Sequence, residues 1–369
     1  MPSPRILDLL SSNDPRDDIH RAVQALAEGQ LAVLPLDSTY ALTALATHED
    51  AARRLSAANL PHTEGCLALY STDAAADYLP PLSARQSRLL ARSWPAPVLF
   101  RFHGAPASGL GAQLPDASSR LASPDNQLQL TVTDDEVAHE VLRLLPAPLL
   151  ARVPIDAAAV VADATGPDWE GLADLIVDAG LLKDPGTPTA VSVKGDAWEV
   201  VRAGRVSAES LQTAECTCIV FVCTGNTCRS PMAAAVFRKL LAGRLQCAEE
   251  GLPQRGFAVA SAGLAAAPGM PASPEAVELI EKQGGQLSRH ESQPLTVRML
   301  TQADYVFTMT RAHRMSILQQ YPEFSARVQT VSADGRDVSD PIGQGMEEYR
   351  RCLEQITDSL QGILQKVLT

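Results

Sequence analysis

Twenty residues beginning at Cys218, CIVFVCTGNTCRSPMAAAVF, restrict what this chain can fold into more than any other stretch. The run IVFV at 219–222 is apolar and β-branched, the character of a parallel strand buried on both faces. The residues after Pro231 read as a helix, and proline is tolerated in a first helical turn. Between them lie Cys223, Thr224, Gly225, Asn226, Thr227, Cys228, Arg229 and Ser230, a tight polar loop. Strand, loop and helix in that order predict a layered α/β domain. Such a loop aims several backbone N–H groups and the positive end of the helix at one point, a cradle for a dianionic phosphoryl group. Gly225 is expected to let the backbone wrap closely.

The side chains give that cradle a chemistry. A cysteine at its mouth has its thiolate stabilised by the same dipoles and by Arg229, which makes Cys223 the candidate nucleophile. Arg229, six positions on, carries a planar fork of donors that can hold two phosphoryl oxygens and match the charge of an in-line transition state. Thr224, Gly225, Asn226, Thr227, Cys228 and Ser230 complete the phosphate-binding loop. A leaving group needs a proton, and Asp340 in VSDPIGQGMEEY, stiffened by Pro341, is the candidate acid. The unit requires no metal and no cofactor.

The rest of the chain sets bounds on this reading. A length of 369 residues suits two domains, and 46% hydrophobic with 20% charged residues is a globular balance. A net charge of −12 argues against a protein that lives by gripping nucleic-acid phosphates and leaves room for one local basic pocket. No apolar run reaches membrane-spanning length and MPSPRILDLLSSNDPRDD lacks the pattern of a secretory signal, so a cytoplasmic location is expected. Seven cysteines, an odd number without framework spacing, are expected to be reduced. The polar stretch 205–216 is the expected domain boundary, and Pro- and Ala-rich patches such as PAPLLARVP read as loops and edges. Cys216 and Cys218 have no matching Cys or His pair at ligand spacing and are read as incidental thiols at a strand entrance. Arg311, His313 and Arg314 form a local basic cluster read as a solvated helix face, with contact to a protein substrate as the alternative.

Residues 218–369 resemble the low-molecular-weight protein tyrosine phosphatase family in VCTGNTCRSPMA at 222–233, SAG at 261–263, ADYVFTMT at 303–310 and SDPIG at 339–343. Within it the chain is similar to the protein arginine phosphatase branch. Thr227 stands where tyrosine-specific relatives carry a branched aliphatic residue, and Ile342-Gly343 follow the acid where those relatives carry aromatic rings. Ala234 departs from the pattern, which has a glutamate there. The resemblance implies a cysteinyl-phosphate mechanism on phosphorylated protein substrates, with Ser230 hydrogen-bonded to the thiolate, Asn226 holding the loop and His290 fixing a neighbouring loop. Cys228 keeps two readings, a redox partner that closes a reversible disulfide with Cys223 or a small buried residue.

The first half resembles the YrdC/Sua5 family, in order, at 31–55, 93–100, 151–156, 177–180, 187–193 and 200–207. That family makes threonylcarbamoyl-AMP for tRNA modification in a concave basic pocket. Here Ala58 and Leu60 replace its lysine and arginine, Leu36 and Ala41 replace its threonine and glycine, and ADATG at 162–166 replaces a Ser-Ala-Asn segment. The expectation is a degenerate domain with a binding or packing role, carrying at most a nucleotide or tRNA-related ligand. The alternatives are a bifunctional enzyme keeping Tyr40, Arg152 and Arg202 as pocket residues, and a non-catalytic phosphoprotein-binding module. Together the resemblances imply an α/β chain of two domains. Residues 1–213 form a YrdC-like twisted αβ sheet, and 217–369 a Rossmann-like three-layer α/β/α phosphatase with a central parallel sheet.

Overall fold

The computed structural model describes residues 3–104, 109–164 and 169–368. The chain divides into two compact units, Met1–Ala214 and Glu215–Thr369. The stretch 205–216 is not an irregular linker, because Ala208–Glu215 forms a helix. Leu211 is buried and belongs to the core of the first unit, and that apolar residue holds the helix in place.

The first unit is built on strands β1 (Arg5–Asp8), β2 (Ala32–Leu36), β3 (Thr39–Leu45), β4 (Thr63–Leu69), β5 (Ala96–His103), β6 (Gln127–Val132), β7 (Leu149–Pro154), β8 (Leu175–Asp178), β9 (Thr189–Lys194) and β10 (Ala197–Arg202). They form one mixed sheet in the order β1-β8-β2-β3-β7-β4-β6-β5-β9-β10. The expectation that PAPLLARVP is loop and edge is overturned, since β7 pairs with β3 on one side and β4 on the other. The apolar pairs Leu149-Leu150 and Val153 outweigh the flanking prolines, which fall at or beyond the ends of the strand where no interior ladder bond is lost. The β2–β3 connection turns at Asp37, whose φ of 50° lies in the left-handed region.

The second unit contains β11 (Thr217–Cys223), β12 (Phe257–Gly263), β13 (Tyr305–Thr308) and β14 (Val328–Thr330). Its order is β12-β11-β13-β14, and every pair is parallel. Alternate residues of β11 enter opposite cores, Ile219 and Phe221 on one face and Val220 and Val222 on the other. The first face packs against the helices Arg229–Leu245, Pro274–Lys282 and Met346–Leu368, and the second against Val297–Gln302 and Arg311–Gln320. In the last helix Tyr349, Cys352, Leu353, Ile356, Leu360, Ile363 and Val367 are buried at the three- and four-residue spacing of a single apolar stripe. The chain passes from β11 to β12 on one side and then returns to β13 on the other. That reversal leaves a crevice at the carboxyl end of β11, where Cys223 is the last residue.

Candidate active site

The helix after β11 begins at Arg229, so Arg229, Ser230 and Pro231 all lie in its first turn. The four residues from Thr224 to Cys228 that bracket Asn226 therefore turn within very little space, and Asn226 takes a left-handed φ of 55°. Its side chain makes that turn rigid. Nδ2 donates to Ser230 Oγ and Ser261 Oγ, both at 2.9 Å, and Oδ1 accepts from Gln293 N at 3.0 Å. Its backbone N–H points back at the cysteine, 3.3 Å from Cys223 Sγ. Ser230 Oγ lies 3.0 Å from the same sulfur and 3.2 Å from Ala262 O, so the hydroxyl is placed between strand and sulfur. His290 donates from Nε2 to Asn226 O at 2.7 Å, which fixes the tautomer of its neutral ring. Burial lowers the basicity of His290, and the bond to Asn226 opposes that shift.

The glycine that this turn needs is Gly263 rather than Gly225. A Cβ on Gly225 would meet only Thr227 Oγ1, at an ordinary 3.7 Å. On Gly263 it would lie 2.5 Å from Thr224 O and 2.9 Å from Asn226 N, a distance real carbons do not tolerate. The end of β12 must be bare for the cysteine loop to lie against it.

Arg229 is buried, with a side chain 7% exposed, and Nη1 donates to Val338 O at 3.3 Å. Its Nη2 forms an ion pair with Asp340 Oδ2, so the candidate acid and the candidate phosphate ligand touch although 111 residues separate them. The acid loop is anchored by Val338 N donating to Met309 O at 2.9 Å, just beyond β13. The Asp340 side chain remains 47% exposed, able to swing.

Thr227 is half-buried, and its carbonyl accepts from Ser273 N at 2.9 Å. Cys228 is buried with Sγ 3.2 Å from Tyr349 Oη and 3.4 Å from Ser273 Oγ. Burial, and then Cys228 itself, push the Tyr349 phenol upward, so the ring stays a neutral hydroxyl beside the sulfur. Cys352, one turn along the same helix, feels Arg229, Asp340, Cys228 and Cys223, but burial pushes its thiol up to about 12. It is a packing residue. Ser273 and Gln293 are absent from the sequence reading, and Ser261 and Tyr349 enter it only inside quoted motifs with no role, because each reaches the loop from a distant segment.

His313 also departs from expectation. It is 8% exposed rather than solvated, with Nε2 2.9 Å from Thr224 Oγ1. Arg314 donates to Val328 O at 3.0 Å, and Arg311 pairs with Asp337 at 3.6 Å. Cys216 is buried with its thiol against Pro253 O at 3.4 Å, and no group of three or more candidate metal ligands gathers among the described residues. Ala234 is buried and lines a cavity of about 290 Å³ with Arg238 and His290, so its departure from the pattern leaves the loop contacts above untouched.

In the first unit the three residues considered for a retained pocket are spent on the chain itself. Tyr40 Oη donates to Gly180 O at 2.8 Å and accepts from Ala179 N at 3.0 Å. Arg152 donates to Thr63 Oγ1 and Leu60 O, both at 3.0 Å, and to Leu55 O at 3.4 Å. Arg202 and Arg101 share the Glu64 carboxylate at 2.5 and 2.6 Å. Leu36 and Ala41 are buried, and Ala58 and Leu60 pack against the core. Thr165 and Gly166, the end of the segment at 162–166, lie outside the described residues.

Residues 218–369 match the family model described as low molecular weight phosphotyrosine protein phosphatase. Residues 24–204 match the Sua5/YciO/YrdC model, described as telomere recombination. The chain is 35% identical over 153 residues to a protein-arginine-phosphatase of Bacillus subtilis, covering 40% of this chain and 95% of that one. It is 35% identical over 155 residues to a protein-arginine-phosphatase of Geobacillus stearothermophilus, covering 41% and 96%. A probable low molecular weight protein-tyrosine-phosphatase of Ralstonia nicotianae is 33% identical over 139 residues, covering 37% and 87%. No helix among the described residues is long and apolar enough to cross a membrane.

Proposed function

Through residues 218–369 this chain belongs to the low molecular weight phosphotyrosine protein phosphatase family, and from that premise we propose that it hydrolyses phosphoarginine on proteins. The observation that carries the reading is the Arg229 guanidinium, which starts in the cysteine loop and ends on the Asp340 carboxylate. A phosphoryl dianion entering the loop competes for that guanidinium and frees the Asp340 carboxylate, which takes a proton from solvent as it turns to face the leaving group. The Cys223 thiolate attacks phosphorus in line. The P–N bond breaks, its electron pair leaves with nitrogen, and Asp340 delivers a proton to that nitrogen. In the second step the Asp340 carboxylate takes a proton from water as the water oxygen attacks phosphorus. The P–S bond breaks and the thiolate returns. Asn226 N donates to the sulfur, and Ser230 Oγ, 3.0 Å away, turns its proton from Ala262 O to the thiolate, so the two stabilise it as attacking and as leaving group.

Arginine is favoured over tyrosine by what borders the loop. Thr227 offers a small polar wall, and Ile342-Gly343 after the acid offer no ring to sandwich a phenyl group. The relatives named protein-arginine-phosphatase support the same choice. For the first unit the engagement of Tyr40, Arg152 and Arg202 supports a binding or packing role over retained synthesis of an adenylate.

The test compares turnover of phosphoarginine and phosphotyrosine peptides by the full chain, before and after Thr227→Ile. The expected result is faster phosphoarginine hydrolysis, with the substitution moving the preference toward phosphotyrosine. Equal preference before and after removes Thr227 as a selector, turnover that survives Cys223→Ser refutes the mechanism, and a wild-type chain that binds phosphopeptide without turnover is a binding module.

A further inference from the structure

The catalytic steps above make no use of His313, although its buried ring contacts the residue that follows the nucleophile. It occupies the first turn of the helix Arg311–Gln320, where its backbone N–H donates to Thr310 Oγ1 at 3.1 Å. Its Nδ1 is buried without a hydrogen-bond partner. A leucine would fill the same space without that cost. The orphaned nitrogen has one return, which is Nε2 placed 2.9 Å from Thr224 Oγ1. Thr224 is itself exposed, directly after Cys223, and its carbonyl is pinned by Ala265 N at 2.9 Å. The same helical turn is tied to the acid loop, since Arg311 N donates to Asp337 Oδ1 at 2.8 Å. A buried ring thus holds an exposed hydroxyl at the rim of the cysteine loop, on an element that also braces the loop carrying Asp340.

We propose that His313 is a positioning residue that fixes the Thr224 hydroxyl as an acceptor for the guanidinium N–H groups of the substrate. The Thr224–His313 pair then helps select a guanidinium leaving group over a phenol. This rests on the phosphoarginine reading above. A hydroxyl has one proton and two lone pairs, so whichever partner donates across the 2.9 Å contact, at least one lone pair remains for a substrate donor. Phosphoarginine presents N–H donors beside the phosphoryl group, and a phenyl phosphate presents none. Without His313 the exposed hydroxyl would turn freely and satisfy itself with water, and the preference would lose its preorganised acceptor.

In the full chain, kcat/KM is measured for matched phosphoarginine and phosphotyrosine peptides, and the ratio is compared across variants. Thr224→Val should lower the ratio roughly five- to tenfold, the worth of about one ordinary hydrogen bond at a solvent-exposed rim. Thr224→Ser should hold it within about twofold. His313→Leu should lower it as Thr224→Val does, while His313→Gln, whose amide reaches the Nε2 position, should restore most of it. The double variant Thr224→Val with His313→Leu should fall no further than either single change. An unchanged ratio in Thr224→Val, or independent losses that multiply in the double variant, overturns the proposal. If His313→Leu does not fold, the comparison of Thr224→Val with Thr224→Ser decides the same question. A wild-type chain with no preference for phosphoarginine overturns the substrate reading and the pair with it, whereas a wild-type preference that survives every variant overturns the pair alone.

Discussion

Replacing Asn226 separates the two things that hold the cysteine loop, side-chain hydrogen bonds and an unusual backbone angle. The residue is fully buried, and its amide makes three hydrogen bonds, to Ser230, Ser261 and Gln293. Asn226→Ala removes all three at about 1 kcal/mol each. It also leaves an alanine at φ 55°, which adds about 1–2 kcal/mol of left-handed strain. The expected loss is therefore about 4–5 kcal/mol in the stability of the second unit. Asn226→Gly loses the same hydrogen bonds but not the strain, and its extra unfolded-state freedom returns only about 0.5–1 kcal/mol of that advantage. Glycine should thus be less harmful than alanine by about 0.5–1 kcal/mol, the reverse of their order in a helix. Denaturant unfolding of the full chain, followed by a probe in the second unit, reads both values. Both variants should also lose phosphatase activity, because the N–H aimed at Cys223 Sγ moves with the turn. An alanine variant as stable as the glycine variant would refute the left-handed turn, and a loss below about 1 kcal/mol would refute the role of the amide.

Two further outcomes follow from single contacts. Gly263→Ala places a methyl group 2.5 Å from Thr224 O, so the cysteine loop must shift, and kcat/KM should fall by at least about tenfold with little change in the unfolding of the first unit. Full activity would mean that the loop does not lie against β12. In the first unit the Asp37 carboxyl is pushed up to about 8, by burial first and then by the facing carboxyl of Asp134. The unfolded chain therefore releases this proton near the ordinary 3.8 while the folded chain keeps it, so the contribution to stability is complete below about pH 4 and declines toward pH 8. The slope reaches at most about 1.4 kcal/mol per pH unit. Asp37→Asn keeps an acceptor for Thr133 and the Asp134 and Asp135 amides and should flatten that decline, and a wild-type first unit equally stable at both ends of this range would contradict it.

How much of this could be read from the chain alone depended on the range over which each feature is specified. The strand, loop and helix around Cys223 are encoded within twenty consecutive residues, where β-branched packing and a proline-tolerant first turn leave few alternatives. β7 was hidden because alanine and proline crowd its approach, and only its two neighbours in the sheet reveal it as an interior strand. His313 looked solvated because arginines flank it, yet a helix places residues two apart on different faces, and the middle one turns inward. Gly225 drew notice for its place in the motif, whereas the crowded glycine lies about forty residues on at the end of β12, visible only when the strands are paired. Tyr349 and Ser273 carry no local signal, since what defines them is a shared contact with Cys228.

The covalent intermediate is the most direct test of the chemistry. The wild-type full chain mixed with a phosphorylated peptide and quenched in denaturant within the first turnover should hold phosphate on the peptide that contains Cys223, and Asp340→Asn, which lacks both the acid of the first step and the base of the second, should form and lose it more slowly. Digestion and mass spectrometry locate it. The account predicts that adduct there and its loss in Cys223→Ala. Phosphate carried on another residue, or turnover by the Cys223→Ala chain, would contradict it.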